Sequence, residues 1–185
     1  QAVFFCSTKF GYKLIHSNEK WFRYDIVWEK TLAVGFLSAN KQPLRKHEML
    51  YLFHNPTKPK NINWIYNPQK TEGTPYNVIR KADVAINYGV KRGLNTNNIT
   101  GDRHPTSVLK IPNPNNKSKH PTQKPVDLCE WLIKTYSNEG DVVMDFTMGS
   151  GSTIIACINT NRTYIGIEKD NDIFLTAQKR IEERN

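Results

Sequence analysis

Cysteine is scarce and poorly placed for crosslinking. The three residues, Cys6, Cys129 and Cys157, are odd in number and far apart, and they form neither a CxxC pair nor a Cys/His cluster of metal-binding spacing. They read as reduced, buried, cytosolic thiols. Long apolar runs are also missing, since nothing approaches the roughly 20 residues that span a bilayer. The opening, QAVFFCSTKF, has neither the basic start nor the small-residue cleavage site of a secretory leader. It begins on Gln1 and not on Met, so the expectation is a chain that starts partway through a longer polypeptide. No Gly-Lys-Ser/Thr follows a glycine-rich turn, which excludes a phosphate-binding P-loop. What remains is an ordinary globular composition, 38% apolar and 23% charged over 185 residues. That length can bury a core without staples and fits one domain with a smaller insertion.

Negative charge is the other shortage, and it is local. The formal net charge is +9. Between His54 and Lys119 stand Lys58, Lys60, Lys70, Arg80, Lys81, Lys91, Arg92, Arg103, Lys110, Lys117 and Lys119. Only Glu72, Asp83 and Asp102 oppose them, so eleven cations against three acids leave +8 in this stretch and the rest near neutral. A local excess of this kind suits a polyphosphate partner or, more blandly, a solvated basic surface.

The chain divides into three stretches. Residues 1–53 read as αβ material, with strands at Ala2–Cys6, Tyr24–Trp28 and Glu48–Phe53 and a short helix over Lys9–Asn18. Their continuous apolar runs suit strands covered on both faces. Residues 54–119 are rich in Pro, Asn, Lys, Gly and Thr, with Trp64, Tyr66, Tyr76 and Tyr88 scattered among the cations. A structureless loop of that length is unusual unless it is functional, and bases interleaved with rings suit nucleic-acid contact. Residues 120–185 regain periodicity. Pro125 is placed to open a helix whose face is Val126, Cys129, Leu132, Ile133 and Tyr136. Strand 142–146, helix 152–159, strand 164–168 and a last helix from Asp172, its expected cap, to Glu183 make a βαβα unit of a doubly wound sheet.

The chemistry concentrates in Asp145-Phe146-Thr147-Met148-Gly149-Ser150-Gly151-Ser152-Thr153, where a strand gives way to a helix. Glycines there let backbone amides approach a ligand. Glu168 closes the next strand, 23 residues after Asp145, where a carboxylate can accept both hydroxyls of a ribose. A dinucleotide fingerprint fails, because Ser152, Thr153 and Ile154 follow the second glycine where a small third residue is required. Asp145, ahead of the glycines, would repel a pyrophosphate but suits a cationic ligand such as S-adenosylmethionine. His47-Glu48 lacks a second His at helical spacing, so a polar contact is expected there and not a metal site. Salt bridging is expected for Asp25 and Glu29.

The motif DFTMGSGST resembles the cofactor-binding motif of the S-adenosylmethionine-dependent DNA amino-methyltransferases, D-P-F-x-G-S-G-T-T. Residues 120–128, HPTQKPVDL, resemble the segment that precedes it in that family, and Arg162–Glu168 the segment that follows. Tyr24–Lys30 and Pro43–Glu48 also look like the family, so the likeness runs through nearly the whole chain. Phe146-Thr147 stands in place of Pro-Phe and shifts the aromatic by one position. The order of motifs resembles the β arrangement.

The resemblance implies a Rossmann-like class I methyltransferase fold of α/β type, permuted and lacking its first strands. On that fold, residues 1–53 belong to the catalytic-side half, 54–119 to target recognition and 120–185 to the cofactor half. It implies cofactor contacts from Asp145, Phe146, Thr147, Gly149, Gly151, Ser152, Thr153 and Glu168, with His120, Thr122, Gln123 and Lys124 near the methionine end. It implies DNA contacts from Lys58, Lys60, Lys70, Arg80, Lys81, Lys91, Arg92 and Arg103. Duplex DNA is the implied partner, in the cytoplasm of a bacterium or a phage-infected cell. A homodimer and a cognate restriction endonuclease are left open.

One element of the family is missing. Its catalytic tetrapeptide, Asp/Asn/Ser-Pro-Pro-Tyr/Phe/Trp, occurs nowhere in the 185 residues: Asn55-Pro56, Asn67-Pro68 and Asn113-Pro114 lack the second proline. In the β arrangement it would precede Gln1. The expected reaction is therefore methyl transfer to the exocyclic amine of adenine (N6, favoured) or cytosine (N4), with no catalytic residue assignable here. The alternative is a catalytically incomplete DNA- or cofactor-binding remnant. A nicotinamide oxidoreductase is disfavoured by the failed fingerprint and the +8 segment.

Overall fold

The computed structural model describes residues 1–55, 64–79, 95–114 and 123–184. Strand β1 (Ala2–Cys6) leads into helix α1 (Thr8–Ser17), whose N-cap Ser7 accepts a hydrogen bond from the amide of Phe10 at 3.4 Å. Strands β2 (Phe22–Val34) and β3 (Arg45–Phe53) follow. Both run past the apolar cores that mark them in the sequence, because their polar ends still pair: Glu29 lies opposite His47 and Val34 opposite Arg45, with a bulge between.

Strands β1, β3 and β2 are antiparallel neighbours, and β6 (Val108–Lys110) adds in parallel to β2, giving the order β1-β3-β2-β6. Two features of this sheet were not expected from sequence. Its β1, β3 and β2 neighbours are all antiparallel, and three residues from the basic, irregular stretch complete it. Leu109 is why β6 belongs here, since it is buried against the cluster of Ile26, Trp28, Leu50, Leu128 and Leu132.

The second half of this body is a parallel pair, β7 (Val142–Asp145) and β8 (Thr163–Gly166), with α2 (Val126–Tyr136), α3 (Ser152–Asn159) and α4 (Asn171–Glu182) around it. Pro125 caps α2 and is not its first helical residue. Asp170, not Asp172, caps α4: its Oδ1 accepts from the amides of Asp172 and Ile173 at 3.0 and 3.1 Å. Asp172 falls in the first turn, where its charge complements the helix dipole. Arg162 is buried between α2 and β8, donating from Nε to Ser137 Oγ at 3.2 Å and from Nη2 to Ser137 O at 2.8 Å.

Helix α2 buries two faces. Leu128 and Leu132 join the four-stranded sheet's cluster, while Cys129 and Ile133 pack with Ala156 and Cys157 of α3. Each such Leu contributes roughly 1.5–3 kcal/mol by leaving water.

Residues 68–105 form a second compact unit. Its hairpin pairs β4 (Tyr76–Ile79) with β5 (Asn95–Asn98), and Thr71 bridges Arg103. Gly101 sits at φ +80, and a Cβ there would meet the carbonyl oxygen of Gly73 at 2.0 Å. Both its conformation and the close backbone approach therefore demand glycine.

Two predictions follow from this packing. All three cysteines are free and buried. Burial pushes the Cys129 thiol up to about 12 and the Cys157 thiol up to about 11. A thiol-reactive chromogen should therefore label no cysteine of the native chain, and all three once it is unfolded. Prompt labelling of Cys129 or Cys157 would contradict the α2–α3 packing. Strand β7 and the turn after it expose Val142, Met144 and Phe146, and β8 and its continuation expose Ile165 and Ile167. An apolar sheet face of this kind is expected to drive self-association of these 185 residues in light scattering. A monodisperse, cooperatively melting monomer is the outcome that would sink this expectation.

Candidate functional site

The site is built where β7 hands over to α3. The carboxylate of Asp145 ends the strand, and its Oδ1 accepts from the Thr147 amide at 3.0 Å. The chain then turns through Gly149 (φ +53) and Gly151 (φ +81), both in the left-handed region that costs other residues about 1–2 kcal/mol. Space as well as backbone selects Gly151, because a Cβ there would stand 3.3 Å from the Cβ of Ala177 on α4. At Gly149 the space is open and the conformation alone requires glycine. Gly151 is the N-cap of α3, with no side chain of its own to cap the helix.

Hydrogen bonds hold this turn from three sides. The Met148 amide donates to Ile167 O at 3.0 Å, and the Gly149 amide donates to Glu168 Oε2 at 3.0 Å. Glu168 Oε1 accepts from the amides of Lys169 and Asp170 at 2.8 and 3.0 Å. The amide of Asp170, with those of Gly149 and Lys169 behind it, holds the Glu168 carboxyl below the ordinary carboxylate range. Ser150 is buried; its Oγ donates to Gln123 Oε1 at 3.1 Å and accepts from Arg180 Nη1 at 2.9 Å. Arg180 also donates to the Ser150 carbonyl.

A cavity of about 970 Å³ opens beside the turn. Asp145, Phe146, Thr147, Gly149, Ser152 and Thr153 line it, together with Gln123 and Lys124. Ser152 is 6% exposed, and its Oγ has no hydrogen-bond partner among the described residues. A buried hydroxyl left in this state is costly unless a ligand takes it. Thr153 Oγ1 lies 3.9 Å from Cys129 Sγ. Phe146 is exposed, with its ring centroid 6.3 Å from that of Phe4. Gly151 and Glu168 are not among the lining residues; Gly151 belongs to the turn and Glu168 is bonded to it.

Eight of the twelve residues expected at the cofactor thus line one cavity and two support it. His120 and Thr122 lie outside the described residues. Sequence reading passed over Ser150 and Arg180. Nothing marks Arg180 in the sequence, but Ser150, a polar residue between two glycines, carried a signal.

The ionic groups sort differently. Lys124 Nζ lies 2.7 Å from Glu48 Oε2, and Lys30 Nζ lies 2.5 Å from Glu48 Oε1. Glu48 is therefore a polar contact, held by two lysines. Glu29 pairs with Lys46 at 3.1 Å and Lys110 at 3.7 Å. In the 68–105 unit, Lys70 pairs with Asp102 at 3.4 Å. Arg103 is spent internally: it donates to Thr74 O at 2.6 Å and to Gly101 O, and it stacks 4.8 Å from the Tyr76 ring centroid. Lys58, Lys60, Arg80, Lys81, Lys91 and Arg92 lie outside the described residues.

Comparison with known proteins places this geometry. The type II methyltransferase M.HpaI of Haemophilus parainfluenzae is 28% identical over 172 residues, 92% of this chain and 49% of that protein. The type II methyltransferase M.HindIII of Haemophilus influenzae is 32% identical over 127 residues, 65% of this chain and 39% of that protein. The chain thus spans about half the length, or less, of these curated relatives. Among solved structures, a complex of M1.HpyAVI with SAM superposes with a TM-score of 0.63 at 28% identity, over 96% of this chain and 72% of that one. The cytosine-N4-specific PvuII DNA methyltransferase shares the fold, at 17% identity and a TM-score of 0.59 over 93% of this chain and 56% of that one. The model of the N6/N4 DNA methylase family matches residues 2–179, and the chain belongs to that family.

Proposed function

We propose that this chain carries the cofactor half and part of the target side of a DNA methyltransferase acting on the exocyclic amine of adenine at N6, with cytosine N4 the other target. The observation that carries the reading is the acid–glycine–acid turn at the cavity. Asp145 ends β7, Glu168 stands two residues past the end of the parallel strand β8, two left-handed glycines lie between them in the chain, and Ser152 Oγ is buried at the wall with no partner among the described residues. This donor set fits S-adenosylmethionine. When bound, that cofactor supplies a methyl group activated by a sulfonium.

The protein's own part is binding and exclusion of water. Three backbone amides already occupy the Glu168 carboxylate, leaving roughly one of its four acceptor positions for a ribose hydroxyl. Asp145 places negative charge at the cavity wall, which favours a cation and disfavours a pyrophosphate. Ser152 offers a hydroxyl that gains a partner only when a ligand enters. The low-dielectric wall of Phe4, Phe5, Leu132 and Ile133 excludes water, which helps a reaction that disperses charge.

Duplex DNA is the proposed acceptor, drawn by the +8 of residues 54–119. The family's way of reaching an amine inside a duplex is base flipping, at a cost of a few kcal/mol. No residue among the 185 is assigned the catalytic polar role, which belongs to the tetrapeptide absent from this sequence. The second reading is a catalytically incomplete cofactor- or DNA-binding remnant.

Two measurements test the proposal. Unmethylated DNA incubated with labelled S-adenosylmethionine and the intact parent protein should yield labelled N6-methyladenine on nucleoside mass spectrometry. Label in N4-methylcytosine would reassign the base, and no label with cofactor still bound would move the reading to the remnant. In calorimetry, Glu168→Ala and Gly151→Ala should each weaken cofactor binding about tenfold or more, through the lost acceptor and through roughly 1–2 kcal/mol of backbone strain. Unchanged affinity in both would remove the turn from the binding site.

A further inference from the structure

A second cluster of charge reaches the cavity through Lys124. Glu48 of β3 splits its carboxylate between two lysines, Oε1 to Lys30 and Oε2 to Lys124. Lys30 is 8% exposed, and its ammonium lies 5.0 Å from the ring centroid of Trp28. The Lys124 ammonium lies 5.1 Å from the Phe5 ring and 5.8 Å from that of Trp28. Burial pushes the Glu48 carboxyl up, but hydrogen bonds from Lys124 and Lys30 outweigh it and keep the group below the ordinary range. Breaking a partly buried ion pair from one side is costly, so its geometry is stiff.

The two lysines have different neighbours. Lys30 lies on β2, beside β3 in the same sheet. Lys124 lies just ahead of α2, and its chain neighbour Gln123 accepts from Ser150 Oγ. Ser150 sits between Gly149 and Gly151, which have no side chains to lock the turn by packing. Beside the packing of Met148 with Ile154 and Ala177, hydrogen bonds place the turn, and one of them runs from Ser150 to the residue next to this ion pair. The four-stranded sheet and the β7–β8 pair share no strand pairing among the described residues, so a side-chain link from β3 to the turn spans two separate ladders.

We propose that Glu48 is a positioning residue for the glycine turn: by holding Lys124 it sets Gln123 against Ser150 and so fixes the backbone that receives the cofactor. The inference rests on the reading of that turn as the cofactor site. Lys30 anchors the opposite carboxylate oxygen and is linked to Lys124 only through Glu48, which makes it the comparison for a loss that leaves the Glu48–Lys124 pair in place.

The test compares Glu48→Gln, Lys124→Met, Lys124→Arg and Lys30→Met in the full 185-residue chain by calorimetry with S-adenosylmethionine. Hydrogen exchange of the Gly149–Gly151 amides is followed in the same proteins without ligand. Lys124→Met and Glu48→Gln are expected to weaken cofactor binding roughly fivefold, within the range that indirect networks transmit. Lys124→Arg, which still reaches the carboxylate, should recover most of the loss. Lys30→Met should change affinity less than about twofold even where it lowers the melting midpoint as much. Equal losses from Lys30→Met and Lys124→Met would overturn the proposal and leave the cluster a general support of the fold. If the wild-type chain takes up no cofactor, the functional reading fails, and exchange decides the link alone. Faster exchange at residues 149–151 in Lys124→Met but not in Lys30→Met supports it, and unchanged exchange in both refutes it.

Discussion

Two apolar stripes on one helix hold together two sheets that share no backbone ladder among the described residues. Leu128 and Leu132 of α2 face the four-stranded sheet, and Cys129 and Ile133 face α3. Because the apolar positions 128, 129, 132 and 133 fall in adjacent pairs one turn apart, the helix is apolar over a wide arc and not a narrow seam. Each wall of the cavity takes its position from that double burial. Thr135 and Ser137 bond back to carbonyls four residues earlier, and Arg162 closes the helix end onto β8. The polar end of α2 is thereby satisfied without solvent.

Charge has opposite tasks at the glycine turn and at β3. At the turn, Asp145 carries negative charge at the wall, and Glu168 is held ionised by backbone amides. At β3, the carboxylate of Glu48 is matched by two lysines and is not available to a ligand. Reading acids by count alone would treat these three groups alike. Their partners separate them, since backbone dipoles leave a net negative charge for a ligand, whereas ammonium groups cancel it.

The site was legible in the sequence where backbone conformation dictates residue type. Gly149 and Gly151 mark left-handed positions and Asp145 a strand end, whereas Glu168, expected to close the next strand, stands two residues beyond β8 because its carboxylate turns back to accept from the amides of Gly149, Lys169 and Asp170. A polar contact at Glu48 was legible but its partner Lys124, 76 residues away, was not, and Arg180 was illegible because Ser150 is 30 residues away. The cap of α4 was misplaced by two residues because Asp170 and Asp172 are the same residue type, and only the backbone angles of Asp170 distinguish cap from first turn. The antiparallel course of β3 was hidden because a strand buried on both faces loses the alternation that would mark its setting. Strand β6 was hidden because three residues are too few to show a period.

The bonds from Arg180 to Ser150 make α4 part of the site without giving it a place at the cavity wall. Helix α4 is amphipathic and exposed on one side, the setting in which a helix opens readily. Here each opening of that helix withdraws a guanidinium from the residue between the two turn glycines. Local melting of α4 and loss of order at the turn are thus coupled, and any ligand that needs the turn ordered would draw on the folding free energy of that helix.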